Sequence, residues 1–140
     1  MDQWGSLLTL QFDSNFLPMT DDWQLNFSFN RIRHLVMEKF NRKSPPDLNA
    51  LLFLIGMQEL GRWQAEFTKE EKQDLMHIAI CRLLAYDGHY TFVGRDEDGW
   101  PHYELHSQLP KIDLATQEQL LKEKIVQYFD ELETEEGSLD

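Results

Sequence analysis

A mainly α fold, a small bundle of four main helices with one β-hairpin between the third and fourth, is what the sequence predicts, on three observations. Apolar residues recur three and four apart in separate stretches, the period of a helix with one buried face. Between those stretches stand helix stops and starts, "KSPPD", "LGRW" and "FTKEE". Only one pair of β-prone runs, "HYTFV" and "WPHYELH", flanks a turn-forming segment, "GRDEDG". With 140 residues, of which 41% are hydrophobic, the chain carries enough apolar mass for one core, so one domain is expected.

Residues 1–27 are read as an N-terminal strand and loop packing on the domain. Leu8, Leu10 and Phe12 alternate at period two, and "DSNFLPMTDDW" is rich in turn formers. The bundle follows over 28–133. From Ser28, the positions Phe29, Ile32, Leu35, Val36 and Phe40 define a first helix that should stop near residues 41–43. Prolines 45 and 46 push the residues ahead of them out of helical geometry, and Asp47 is placed to cap a second helix, about 48–60, closed by Gly61. Because "ALLFLI" is apolar on every face, this helix should be the central one.

Thr68 and Glu71 have the spacing of a capping box, in which each side chain bonds a backbone N–H of the other. They open a third helix through "DLMHIAICRLLAY" to the stop Asp87-Gly88. The hairpin is expected at about 89–106, with Gly99 in the left-handed position of its turn. A last helix, about 114–133, stacks Leu114, Leu121, Ile125, Tyr128, Phe129 and Leu132 on one stripe. Residues 134–140 read as an acidic mobile tail.

Charge and cysteine content narrow the function classes. Thirteen Lys and Arg against 25 Asp and Glu give a net charge of −12, a field that repels phosphate polyanions and acidic lipid. No membrane contact is expected, and nucleic acid is disfavoured as a partner. The longest apolar run, "ALLFLIG", is too short to span a bilayer. The single Cys81 excludes an intramolecular disulfide, and the start "MDQWGSLLTLQFDSN" lacks the pattern of a secretory leader, which together predict a cytoplasmic protein.

Three segments, "PDLNALLFLIGMQELG", "FTKEEKQDLMHIAICRLL" and "DGWPH", together resemble an uncharacterised, conserved, single-domain family of bacterial proteins. The resemblance covers about Phe12 to Phe129 and implies a bacterial cytoplasmic protein. It carries no activity, ligand or site residue with it.

Four groups of residues compete as sites. The order helix, helix, helix, hairpin also resembles a winged-helix core, which would suggest DNA binding. Its wing tip, however, sets Arg95 against Asp96, Glu97 and Asp98, whereas a wing that reads DNA needs cations there. "RIRHLVMEKFNRK" holds Arg31, Arg33, Lys39, Arg42 and Lys43 against Glu38 alone, a docking face for an acidic partner, an RNA or a phosphorylated ligand, or simply the solvated side of the first helix. Asp74, His77 and Cys81 share one stripe of the third helix. A thiol with an imidazole base is chemically conceivable there, but a buried cysteine beside a bonded histidine is the simpler reading.

On the hairpin, period two sends Trp100, His102, Glu104 and His106 to one face and Pro101, Tyr103 and Leu105 to the other. His102, Glu104 and His106, with His89 from the preceding strand, are candidate ligands for a divalent metal; the plain alternative is a polar outer face on an edge strand. Trp100 beside Asp96 and Asp98 looks like a recognition loop, an aromatic anchor next to acids; the alternative is that Trp100 folds back over the bundle as a peripheral core residue. The leading expectation is a non-enzymatic protein-interaction or regulatory module without a cofactor, its protein partner unknown and its partner-binding residues drawn from Trp100, Asp96, Asp98, Arg31, Arg33 and Arg42. The alternatives are a metal-dependent enzyme built on the hairpin cluster and a winged-helix-like nucleic-acid binder.

Overall fold

The computed structural model describes residues 22–136 apart from 65, 107 and 110. In chain order come α1 (Asp22–Lys39), α2 (Leu48–Leu60), α3 (Lys69–Leu84) with a 3₁₀ turn at Ala85–Asp87, β1 (Tyr90–Arg95), β2 (Pro101–Leu105) and α4 (Leu114–Glu136). This is the mainly α bundle with one hairpin between the third and fourth helices that the sequence predicts. The expected strand at Leu8 to Phe12 lies outside the described residues. No helix among the described residues is long and apolar enough to cross a membrane.

α1 begins six residues before Ser28. Its core face is Phe29, Ile32 and Val36, while Trp23 and Phe27 are exposed, so its first turns carry no apolar stripe that would reveal them as helical. The helix closes in a Schellman arrangement. Asn41 adopts a left-handed φ of 55°, Arg42 N–H donates to Met37 O at 2.8 Å, and Asn41 N–H donates to Glu38 O at 3.2 Å.

α2 is capped by the Asp47 carboxylate, which accepts the Ala50 N–H at 2.9 Å, and stopped by the Gly61 N–H on Met57 O. It is the central helix: Leu51, Leu52, Leu54, Ile55, Gly56, Met57 and Leu60 are all buried. Its packing on α3 depends on Gly56, where an added Cβ would stand 2.2 Å from the Leu75 carbonyl oxygen. The two backbones touch there.

The capping box of α3 forms in full, with Glu71 N–H on Thr68 Oγ1 at 3.1 Å and Thr68 N–H on Glu71 Oε1 at 2.8 Å. α4 is capped by Asp113, whose Oδ1 accepts the Thr116 N–H at 2.8 Å, and it buries Leu121, Ile125, Tyr128 and Phe129. It runs past the expected end at 133 as far as Glu136. Residues 134–136 therefore belong to the helix rather than to a mobile tail, and 137–140 lie outside the described residues.

The hairpin is antiparallel, pairing Tyr90 with Leu105, Phe92 with Tyr103 and Arg95 with Pro101. A register shift between Phe92 and Gly94 leaves Val93 as a bulge, with its side chain in solvent. β1 thus extends through Gly94 and Arg95, which had been expected in the turn. The turn closes with Asp96 N–H on Trp100 O and Gly99 N–H on Asp96 O, both 3.0 Å, and Gly99 supplies the required positive φ of 86°. At the open end, His106 N–H donates to His89 O at 2.9 Å.

Candidate functional site

The helical period places Glu71, Asp74, His77, Ile78 and Cys81 along one side of α3, and the hairpin folds its tip back over that side. Asp96, Trp100, Pro101, His102 and Tyr103 form the opposite wall. Between the two walls lies a groove of about 480 Å³, open to solvent. Two clusters that the sequence keeps apart, the Asp74/His77/Cys81 stripe and the hairpin tip, thus face one cavity.

The tip is held by a single carboxylate. Asp96 Oδ1 accepts the N–H of Asp98 at 2.9 Å and of Trp100 at 3.0 Å, while Oδ2 stands 3.0 Å from His102 Nε2. The bond to His102, followed by the N–H of Trp100, holds the Asp96 carboxyl below the usual carboxylate range. Asp96 is therefore a scaffold of the turn as well as a surface acid. Arg95, the base of the wing tip, is spent on structure: its guanidinium donates to Glu59 O at 2.6 Å and Gly99 O at 2.8 Å, strapping the turn to the carbonyl end of α2.

Trp100 does not sit on the solvated face with His102 and Glu104. β2 starts one residue later, so the alternation begins at Pro101, which is buried, and His102 and Glu104 are exposed. Trp100 is half-buried and packs on the edge of the core, with the Arg62 guanidinium 5.9 Å from its ring centroid and Arg62 Nη2 donating to Asp98 O at 2.8 Å. It is both a peripheral core residue and part of the groove rim.

His102, Glu104, His106 and His89 do not converge. Among the described residues, no group of three or more His, Cys, Asp or Glu side chains is placed to hold a metal ion. The strand ends at Leu105, so His106 has left the alternation on which the ligand set depended, and His102 turns to Asp96 instead. On α3, Cys81 Sγ and His77 Nε2 are 3.5 Å apart, but Cys81 is only 2% exposed. Asp74 has no hydrogen-bond or ion-pair partner among the described residues, so no acid–imidazole–thiol relay exists.

The basic segment of α1 is largely committed to its own fold. Arg31 pairs with Asp130 at 3.0 Å and Glu133 at 3.4 Å on α4, and Arg33 donates to Pro46 O at 2.7 Å and to Asn30 Oδ1 at 3.0 Å. Arg42 is exposed beyond the helix end.

One polar cluster was not read from the sequence. The Arg82 guanidinium lies over the rings of Tyr86 and Tyr128, at 4.9 and 5.2 Å, with Nε 3.6 Å from Glu59 Oε1. Tyr128 donates to Glu59 at 2.7 Å and Tyr86 to Glu131 at 2.9 Å, so the cluster ties α2, α3 and α4 together. Burial and the bond to Glu131 push the Tyr86 phenol up to about 12. Burial, followed by the charge of Glu59, does the same to Tyr103 on the groove wall, also to about 12. The only trace in the sequence is a lone Glu59 and a lone Arg82 inside apolar runs.

A second concavity, about 170 Å³ and mainly apolar, lies among Leu35, Val36, Leu54, Phe129 and Leu132, beside the exposed pair Phe40 and Trp63, whose rings are 5.7 Å apart. Against known protein families, curated proteins and solved structures the chain gives no match.

Proposed function

We propose that the protein is a non-enzymatic interaction module, acting in the cytoplasm, that receives a segment of a protein partner in the groove between α3 and the hairpin, with Trp100 as the aromatic anchor at its rim. The observation that carries this reading is the convergence of Trp100 and Asp74, which has no hydrogen-bond or ion-pair partner among the described residues, on one open groove of about 480 Å³. An aromatic ring fixed by packing loses little entropy on binding, and a carboxylate without an internal partner is free to take one from outside.

The catalytic alternatives have less support. A Cys81 nucleophile would need an exposed thiolate and donors for an oxyanion, yet the thiol is buried in mid-helix, where the neighbouring backbone N–H groups are engaged in the helix. A hairpin metal centre would need ligands that converge. For nucleic acid, the net charge of −12 and the internal pairing of Arg31 remove most of the electrostatic attraction.

Affinity capture from the native cell tests the proposal. The immobilised protein should retain a partner that Asp74→Lys loses and that Lys111→Glu, at an exposed position outside the groove, still retains. Equal retention by Asp74→Lys would overturn it.

A further inference from the structure

A run of apolar side chains along the outer side of α1 stands in solvent, and we propose that residues 1–21 of this chain dock on it, with Leu8, Leu10 and Phe12 entering the concavity at its far end. Trp23 and Phe27, one turn apart at the start of α1, are 66% and 68% exposed. From Phe27 a shallow concavity leads along the helix past Asn30, Arg31 and His34 to Leu35. Leu35 also lines the mainly apolar concavity of about 170 Å³ between α1, α2 and α4, where Phe40 and Trp63 are exposed side by side. The two concavities form one track with an aromatic pair at each end. Single exposed apolar residues are ordinary, whereas a continuous run of them marks a surface that another segment covers. The track shares no lining residue with the groove between α3 and the hairpin, so this proposal stands apart from the docking reading above.

The chain that precedes the described residues has the composition, reach and charge to be the occupant. Leu7, Leu8, Leu10, Phe12, Phe16 and Leu17 fall within eleven residues of it. The far concavity begins at Leu35, about 20 Å along the helix axis from Asp22, and the stretch from Phe12 to Asp22 can extend over roughly 33 Å. That is enough to reverse direction and run back along α1. Residues 1–21 contain Asp2, Asp13 and Asp21 and neither Lys nor Arg, while Arg42 and Lys43 are exposed just past the end of α1. Opposite charge favours a segment that runs toward that end. Because the segment is covalently joined to the helix, its local concentration is on the order of millimolar, which favours it over a second copy of the chain in dilute solution.

The test attaches a nitroxide to Gln11→Cys in the full, isotope-labelled chain and reads the loss of NMR signal around it. Period two puts residue 11 on the side opposite Leu10 and Phe12, so the label leaves their contacts open. Cys81 is buried, and wild-type protein treated in the same way reports any label it takes up. The Trp63 indole N–H and the amides of Leu35 and Phe40 should be bleached, while the amides of Phe92 and Leu105 on the hairpin stay sharp. Adding Leu10→Asp and Phe12→Asp should restore the bleached signals, with unchanged core signals showing that the bundle remains folded.

Sharp Trp63 and Phe40 signals, or bleaching centred on Phe92 and Leu105, would overturn the proposal. So would bleaching that survives the two aspartates, since the apolar side chains would then not hold the segment. A mixture of nitroxide-bearing chains without isotope and isotope-labelled chains without nitroxide should show no bleaching. Bleaching of Trp63 in that mixture would assign the track to a second copy and overturn docking within one chain.

Discussion

His102 Nε2 lies 3.0 Å from Asp96 Oδ2, and the other oxygen of the same carboxylate accepts the backbone N–H of Trp100. One acid thereby links the outer face of β2 to the residue that forms the groove rim. The geometry of the anchor is set by the turn.

This link has a pH signature. The Asp96 carboxyl is depressed in the folded protein, so its contribution to stability is present above the unfolded value, about 3.9, and is lost as the pH falls through the folded value. His102→Ala removes the largest cause of the depression and should raise the Asp96 pKa toward the ordinary value. It should stop short of it, because the N–H groups of Trp100 and Asp98 still bond the carboxylate. A carboxyl-carbon NMR titration of both proteins measures the difference; an unmoved Asp96 would show that His102 does not hold it.

The contact of α2 with α3 predicts a stability effect far from the groove. A Cβ at position 56 would meet the Leu75 backbone, which cannot yield as a flexible side chain does. Gly56→Ala, usually favourable in a helix, should here destabilise by about 1–3 kcal/mol in chemical denaturation. A neutral or stabilising result would mean that the helices separate easily.

Cys81 should react slowly with alkylating reagents in the folded state, at a rate that rises with denaturant, because the thiol is buried out of reach of the reagent. Rapid alkylation near neutral pH, abolished by His77→Ala, would instead make the 3.5 Å contact with His77 a functioning nucleophile and base.

Local chemistry was legible in the sequence and long-range convergence was not. The Asp47 cap, the Thr68 and Glu71 box and the Gly99 turn each join groups at most four residues apart, and residue type alone specifies such bonds. The fold class followed from them and from the apolar period. The start of α1 was lost because exposed Trp23 and Phe27 blur its stripe. The side of Trp100 was misread because alternation was counted from Trp100 itself, whereas pairing begins at Pro101. The groove was invisible because Asp74 and Trp100 meet only through the docking of the hairpin on α3, which no spacing encodes. The Arg82 cluster draws on three helices for the same reason.

The central claim, that Trp100 anchors a partner in the groove, is tested most directly by the Kd of the captured partner for wild-type and Trp100→Ala protein, measured by calorimetry alongside the unfolding free energy of each. Because the ring is half-buried, the variant should lose about 1–2 kcal/mol of stability, less than the roughly 3–5 kcal/mol of a fully buried aromatic, and remain folded in the assay. Binding should weaken by about 2 kcal/mol, close to 30-fold in Kd. An unchanged Kd for the folded variant would contradict it and leave Trp100 as a residue of the core edge alone.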